Sequence, residues 1–282
     1  MTRPLVLKFG GELLEDRAHL ATVVAGVAAI SAKEPVVVVH GGGKEIDAAL
    51  KAAGIEKRQV DGLRITDAAT LDIVVAVLAG AVNTRLVAAL NTAGVAAVGL
   101  TGADARVGLS VAAPLHRAVD GRVVDLDRVG VPSADMDPRL LQTLLRDRFV
   151  PVVACIGFGA DGALFNVNAD TLAGHLAARL GARRLVIAGT TPGVLGARNE
   201  TQHETLPRLE SHEIAALVTG GTATAGMIAK LRACEHALAG GVDDVVIVDG
   251  RDRDALVAAA VSDAPPRATR LSAGLKACAT ER

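Results

Sequence analysis

The chain has 282 residues, half of them hydrophobic, and its 30 basic against 31 acidic residues leave a formal charge of −1. That balance lacks the long-range positive field of a nucleic-acid binder and suits a small-molecule ligand better. The length points to a large α/β domain or two joined lobes. Ala, Val and Leu supply most of the apolar area, with four Phe and no Trp or Tyr, so aromatic stacking is not a main means of holding a ligand. Cys155, Cys234 and Cys278 lie far apart without CxxC spacing, which suggests reduced thiols rather than a zinc cage or disulfide framework. The apolar run before Lys8 is too short for a signal peptide. The longest apolar stretch, 73–82, falls short of the roughly 20 residues a membrane helix needs. A cytoplasmic protein with no membrane or nucleic-acid partner is expected.

In chain order, β-branched runs at 5–8 and 36–40 each meet glycine and then a helical period, at 18–31 and 44–53. A long apolar helix is predicted over 67–93 and a strand over 96–100. The stretch 116–136 reads as short antiparallel strands and turns, from Val-Asp-Gly-Arg-Val-Val-Asp and Val-Gly-Val-Pro. There follow a helix at 137–147, a strand at 150–155, a helix at 170–180 and a strand at 184–188. Helices at 211–218 and 227–239, a strand at 245–248 and a helix at 253–260 complete the pattern. Past Ala264, with Pro265-Pro266, a terminal strand or an extension is expected. The alternation is that of a parallel sheet flanked by helices.

Two glycine loops sit where strands end and helices begin: Lys8-Phe9-Gly10-Gly11-Glu12 and His40-Gly41-Gly42-Gly43-Lys44. Parallel α/β sheets bind ligands at such ends. Adjacent glycines let backbone N–H groups approach an anion, and a helix N-terminus adds favourable partial charge. Tight strand-to-helix turns alone would also use glycine, but two such loops on successive strands favour a phosphate site. The GxGxxG fingerprint is absent after the first strand and Lys44 is followed by Glu45, so neither a dehydrogenase nor a P-loop enzyme is indicated. No histidine gathers with Cys, Asp or Glu at a metal-ligand spacing, and no protein metal ligand is assigned; His40, closing an apolar strand, reads as a hydrogen-bonded core residue.

Together with Gly62-Leu63-Arg64-Ile65-Thr66, these loops resemble the amino-acid kinase superfamily and, within it, the acetylglutamate kinase branch. The resemblance continues through Val98-Gly99-Leu100-Thr101-Gly102, Pro151-Val152-Val153 and Asn166-Val167-Asn168-Ala169-Asp170. It extends over Pro192-Gly193-Val194-Leu195, Gly226-Met227-Ile228-Ala229-Lys230 and Val248-Asp249-Gly250, in order along nearly the whole chain.

That resemblance implies a three-layer αβα sandwich on a mainly parallel sheet. Residues 1–180 would form an N-lobe for the acyl amino acid and dimerisation, and 181–282 a C-lobe for the nucleotide. It implies ATP, with Mg2+ carried by the nucleotide, and N-acetyl-L-glutamate as acceptor of the phosphoryl group. Alternatives are a carrier-bound aminoadipate or glutamate acceptor, or a non-catalytic regulator of the same fold. Lys8 and Lys230 would stabilise the transferring charge and Asp170 would orient them. Gly10, Gly11, Gly42 and Gly43 would donate N–H bonds to the same group, while Arg64 and Asn166 would hold the acceptor. Without the resemblance, a lysine beside glycine is an ordinary surface residue, Arg64 a loop ion-pair partner and Asp170 a helix cap. A homodimer is expected through the helix over 67–93, with Ile73, Val74, Val77, Leu78 and Val82 as a candidate face. With the first strand starting near residue 5, there is no room for the N-terminal helix by which arginine-inhibited members resemble one another, so arginine insensitivity is expected. Gly189-Thr190-Thr191 departs from the family's usual acidic residue and puts the nucleotide contacts in question.

Overall fold

The computed structural model describes residues 2–199, 202–210, 212–214 and 225–273, and among these the side chains of 197–199, 202, 203, 225 and 226 are left aside. The helix expected at 211–218 lies mainly outside the described residues. Runs of β-branched and aliphatic residues form the buried strands β1 (Leu5–Phe9), β2 (Val36–His40), β10 (Val150–Ala154), β13 (Arg184–Gly189) and β17 (Asp244–Asp249), and the more exposed edge strand β5 (Ala97–Thr101). They lie side by side with β16 (Arg208–Glu210) and β18 (Ala268–Ser272) in one eight-stranded sheet, ordered β16-β18-β17-β13-β1-β2-β10-β5. Neighbours from β17 to β5 are parallel, and β18 runs antiparallel to β17. The mainly parallel α/β architecture expected from the sequence is therefore present.

Helices cover the sheet. They are α1 (Arg17–Ser31), α2 (Gly43–Ala52), α3 (Ala68–Val75), α4 (Asn83–Thr92), α5 (Arg139–Arg146), α6 (Ala169–Arg179), α7 (Ala225–Ala239) and α8 (Arg253–Val261). Asp16 starts α1 by accepting bonds from the N–H groups of Ala18 and His19, and Asp252 starts α8 through those of Asp254 and Ala255. A smaller sheet of β6 (Ser110–Ala112), β9 (Val129–Pro132), β11 (Ile156–Phe158) and β12 (Leu164–Val167) stands beside the main one. Short antiparallel pairs are β3 (Gln59–Val60) with β4 (Leu63–Arg64), β7 (His116–Arg117) with β8 (Val123–Val124), and β14 (Leu195–Asn199) with β15 (Gln202–Thr205); of these the β7–β8 pair agrees with the antiparallel reading of 116–136.

Two expectations need correction. The helix predicted over 67–93 is present as one continuous segment, Ala68–Thr92, in which a π-helical stretch, Ala76–Val82, joins α3 to α4. Its proposed partner-facing side chains are core: Val74, Val77, Leu78 and Val82 are buried within the fold, and Ile73 is half-buried. The whole helical segment Ala68–Thr92 is, by length and composition, long and apolar enough to cross a membrane, contrary to the estimate made from 73–82 alone. In this fold it packs its apolar side on the sheet, and Asn83 in its middle donates hydrogen bonds to His40 Nε2 and to the Val152 carbonyl.

Candidate active site

The C-terminal ends of β1, β2 and β13 meet at one edge of the sheet, where Phe9 is in register with both His40 and Ala188. Lys8 is therefore carried to that edge by the central strand, flanked on both sides, and its side chain is only 10% exposed. Its Nζ lies 2.9 Å from Asp170 Oδ1 on α6, although the angle falls short of a well-formed hydrogen bond. Asp170 is free to make this contact because the cap of α6 is Asn168, whose Oδ1 accepts from the N–H groups of Asp170 and Thr171. Burial alone would lower the lysine's pKa, but the charge and contact of Asp170, with a smaller contribution from Glu12, outweigh it and hold Lys8 above its usual range.

Lys230 reaches the same place from α7. It has no ion pair with a described residue, and burial together with repulsion from Lys8 pushes its pKa down, partly offset by Asp170 and Glu12. Helices α6 and α7 touch closely: a methyl group on Gly174 would come within 2.8 Å of the Ala233 carbonyl oxygen. That contact sets Asp170 and Lys230 on facing helices.

The glycines divide their work. Gly11 packs against the second loop so tightly that a methyl group on it would lie 2.6 Å from Gly42 Cα. The N–H groups of Gly11, Gly42 and Gly43 have no protein acceptor among the described residues. Gly10 differs from its expected role, since its N–H already donates to the Ala188 carbonyl at 3.1 Å. It matters by lacking a side chain.

Beside the loops, Glu12, Gly43, Lys44, Asp47, Lys57, Gln59, Gly62 and Arg64 line a cavity of about 300 Å³, the low end of small-ligand sites. Asp47 holds Arg64 through Nη2 and Lys57 through Nζ, the latter at 2.8 Å. Arg64 Nη1 is buried and without a partner. Asn166 joins this group indirectly: its Nδ2 donates to Thr66 Oγ1 at 3.0 Å, and Thr66 Oγ1 donates to the Arg64 carbonyl. The sequence reading missed Glu12, Asp47 and Lys57. A signal existed for Asp47, because an arginine brought into a half-buried loop needs a carboxylate.

On the β13 side, Thr191 Oγ1 is buried and unpartnered, while the carbonyl of Thr190 accepts from Arg251 Nη2. Cys155 and Cys234 are free and buried, and burial pushes the Cys155 thiol up to about 12, so neither is a nucleophile. His40 is fully buried; Asn83 donates to its Nε2, which leaves the proton on Nδ1 facing the Gly41 carbonyl. Burial lowers its pKa to about 4. It is a neutral structural group, as the sequence suggested. A larger cleft of about 800 Å³ opens at the opposite edge, beside the starts of β2 and β10. It contains none of these residues and lies at the wrong end of the strands for a parallel-sheet ligand.

A family model described as the amino acid kinase family matches residues 3–249. The chain belongs to the amino acid kinase family. Among curated proteins it is 41% identical to an acetylglutamate kinase of Rhizorhabdus wittichii, over 87% of this chain and 82% of that one. It is 40% identical to an acetylglutamate kinase of Methanopyrus kandleri, over 86% of this chain and 94% of the relative. These relatives place it in the acetylglutamate kinase branch as an ATP-using kinase. Among solved structures, N-acetylglutamate synthase from Neisseria gonorrhoeae, complexed with coenzyme A and N-acetyl-glutamate, superposes with a TM-score of 0.79 at 24% identity. The match covers 96% of this chain but 59% of the synthase, and it bears on the fold alone.

Proposed function

We propose that this kinase transfers the γ-phosphoryl group of ATP to the side-chain carboxylate of N-acetyl-L-glutamate, a step of arginine biosynthesis. The observation that carries the reading is the meeting of Lys8, Lys230 and Asp170 with two glycine loops beside a cavity lined by Arg64, whose Nη1 is buried and unpaired.

A carboxylate with a pKa near 4.3 is already ionised at pH 7, so it attacks phosphorus without a general base. The protein's work is positioning and charge. The acceptor's α-carboxylate takes Arg64 Nη1, with Asn166 and Gly43 bounding the same side, which turns the side-chain carboxylate toward the glycine loops. The N–H groups of Gly11, Gly42 and Gly43 and the ammonium of Lys8 face the phosphoryl group from the acceptor side. Lys230 faces it from the nucleotide side, where the approaching phosphate restores the charge that burial disfavours. Asp170 fixes Lys8 and draws Lys230 toward the same point. In this division residues 1–180 hold the acceptor and 181–282 the nucleotide, with Thr191 contributing a free hydroxyl to ribose or phosphate.

Magnesium comes with ATP, shielding phosphate charge and keeping several waters. Asp170, whose Oδ1 lacks a well-aligned hydrogen bond, fits as acceptor for one of them. The functional unit in this reading is a homodimer, which sedimentation tests.

The reaction is tested by trapping the acyl phosphate with hydroxylamine, in the presence of ATP and Mg2+, on N-acetyl-L-glutamate, glutamate, aspartate and aminoadipate. Product with N-acetyl-L-glutamate, absent in Lys8→Ala, is expected. Equal signals on all acceptors would overturn the assigned specificity.

A further inference from the structure

Glu12 has no part in the scheme above, yet its carboxylate occupies the centre of the site. It folds back over the glycine loop so closely that a methyl group on Gly10 would lie 2.3 Å from Oε1 and 2.4 Å from Oε2. The same Oε1 is 3.3 Å from the point where a methyl on Gly189 would stand, and Lys230 Nζ is 3.6 Å from that point. Glu12 also lines the acceptor cavity. Its oxygens therefore reach from the acceptor side to the end of β13, across the line of transfer, with no hydrogen bond or ion pair to a described residue. A half-buried carboxylate so placed is not explained by packing, because no described residue pairs with it.

Its effect is electrostatic. Lys8 and Lys230 bring two positive charges to the cradle, and Asp170 already offsets one. Glu12 offsets the other, and its charge is felt at both lysines. These four charges thus sum to zero, and a highly charged phosphate tail gains little by entering unless its own charge is reduced. We propose that Glu12 makes the phosphoryl cradle selective for metal-complexed triphosphate, refusing the bare triphosphate by like-charge repulsion. The proposal rests on placing the nucleotide at the β13 side, but not on the identity of the acceptor.

The test is binding, without turnover. Calorimetry of AMP-PNP, with Mg2+ and separately with EDTA, is run on the wild type, Glu12→Gln and Glu12→Asp, with ADP as the ligand lacking a γ-phosphoryl group. Glu12→Gln is near isosteric and removes no hydrogen bond, so its melting temperature should match the wild type. In Glu12→Gln, metal-free AMP-PNP is expected to bind about tenfold tighter, the size of one screened like-charge contact. The Mg2+ complex and ADP should change by less than about threefold, and Glu12→Asp should retain the wild-type preference for the complex. Unchanged metal-free affinity in Glu12→Gln would overturn the proposal. So would a loss confined to the Mg2+ complex, which would make Glu12 a metal ligand. Wild-type protein that binds no nucleotide would overturn the nucleotide placement along with it.

Discussion

The acceptor side and the nucleotide side of the site are built differently. On the acceptor side the side chains arrive already anchored: Lys57 and the Nη2 of Arg64 on Asp47, which leaves only Arg64 Nη1 unpartnered, and Asn166 on Thr66. On the nucleotide side Lys230 has no ion pair among the described residues and Thr191 Oγ1 has no partner. Lys8 stands at the boundary, raised by Asp170, while Lys230 is lowered beside it. Pre-pairing holds a donor in its working geometry before ligand enters and reduces the ordering cost of binding. A half-buried cation without an ion pair carries a desolvation cost that Asp170 and Glu12 offset only in part and that a charged ligand relieves further. The acceptor half is shaped in advance, and the nucleotide half is completed by its ligand.

Replacing the two lysines tests this contrast most severely. Each removes preorganised positive charge from the transferring group, so Lys8→Ala and Lys230→Ala should both lower kcat at least about a hundredfold. Stability should separate them. Lys8→Ala strands the buried Asp170 carboxylate and should cost about 3 kcal/mol in urea unfolding, whereas Lys230→Ala removes a strained charge and should cost little. Equal losses of stability would erase the distinction between the two sides. Near-parental rates in either variant would remove the lysine from the mechanism.

On the acceptor side the expected effects fall on KM. Arg64→Ala loses a charge-assisted bond to the α-carboxylate and should raise the acceptor KM roughly thirtyfold, with that for ATP unchanged. Asp47→Asn keeps the shape but loosens the hold on Arg64 and Lys57. It should raise the acceptor KM about fivefold, a fraction of one charge-assisted hydrogen bond, and leave kcat near parental. Parallel rises in both KM values would mean that Asp47 supports the site as a whole rather than one half.

The main strands and the ends that carry the site were legible because valine runs and glycine pairs report local backbone demands. The four valines of β2 and the glycines after His40 could hardly serve a helix interior. Lys8, Lys230 and Asp170 were legible only through the resemblance, since nothing local makes a lysine after a strand residue catalytic. Pairings across the fold were not legible: Asp47 meets Arg64 at a separation of 17 residues through the approach of α2 to the β3–β4 hairpin. The inward turn of Glu12 depends on the bare surface of Gly10, which spacing does not reveal. The π-helical stretch of Ala76–Val82 escaped because it leaves the apolar periodicity nearly intact. It packs Leu78 and Val82 against Gly42, where a methyl would come within 2.8 Å of Leu78 Cδ2.

His40 links the acceptor-side loop to this helix, and its protonation should weaken the hold. Its pKa is about 4 in the fold and about 6.5 when unfolded. The unfolded chain therefore binds more protons between these values, and stability falls as pH drops through that window. From pH 7 to pH 5 the wild type should lose about 2 kcal/mol more than His40→Gln in urea unfolding. Identical pH dependence would mean that the imidazole titrates freely and that its bond with Asn83 does not hold the loop.

The smallest effect is expected at Thr191, and it bears most directly on whether the nucleotide half awaits its ligand. If the buried hydroxyl exists to meet ribose or phosphate, Thr191→Val loses one neutral hydrogen bond on binding and should raise the ATP KM about fivefold. The acceptor KM should not move. In the free protein the same change replaces an unsatisfied polar atom with a methyl group, so stability should be unchanged or slightly higher. A purely structural hydroxyl would give the opposite pattern, with lower stability and an unaltered ATP KM. Such a result would leave Lys230 alone as the group on that side that gains its partner only when nucleotide binds.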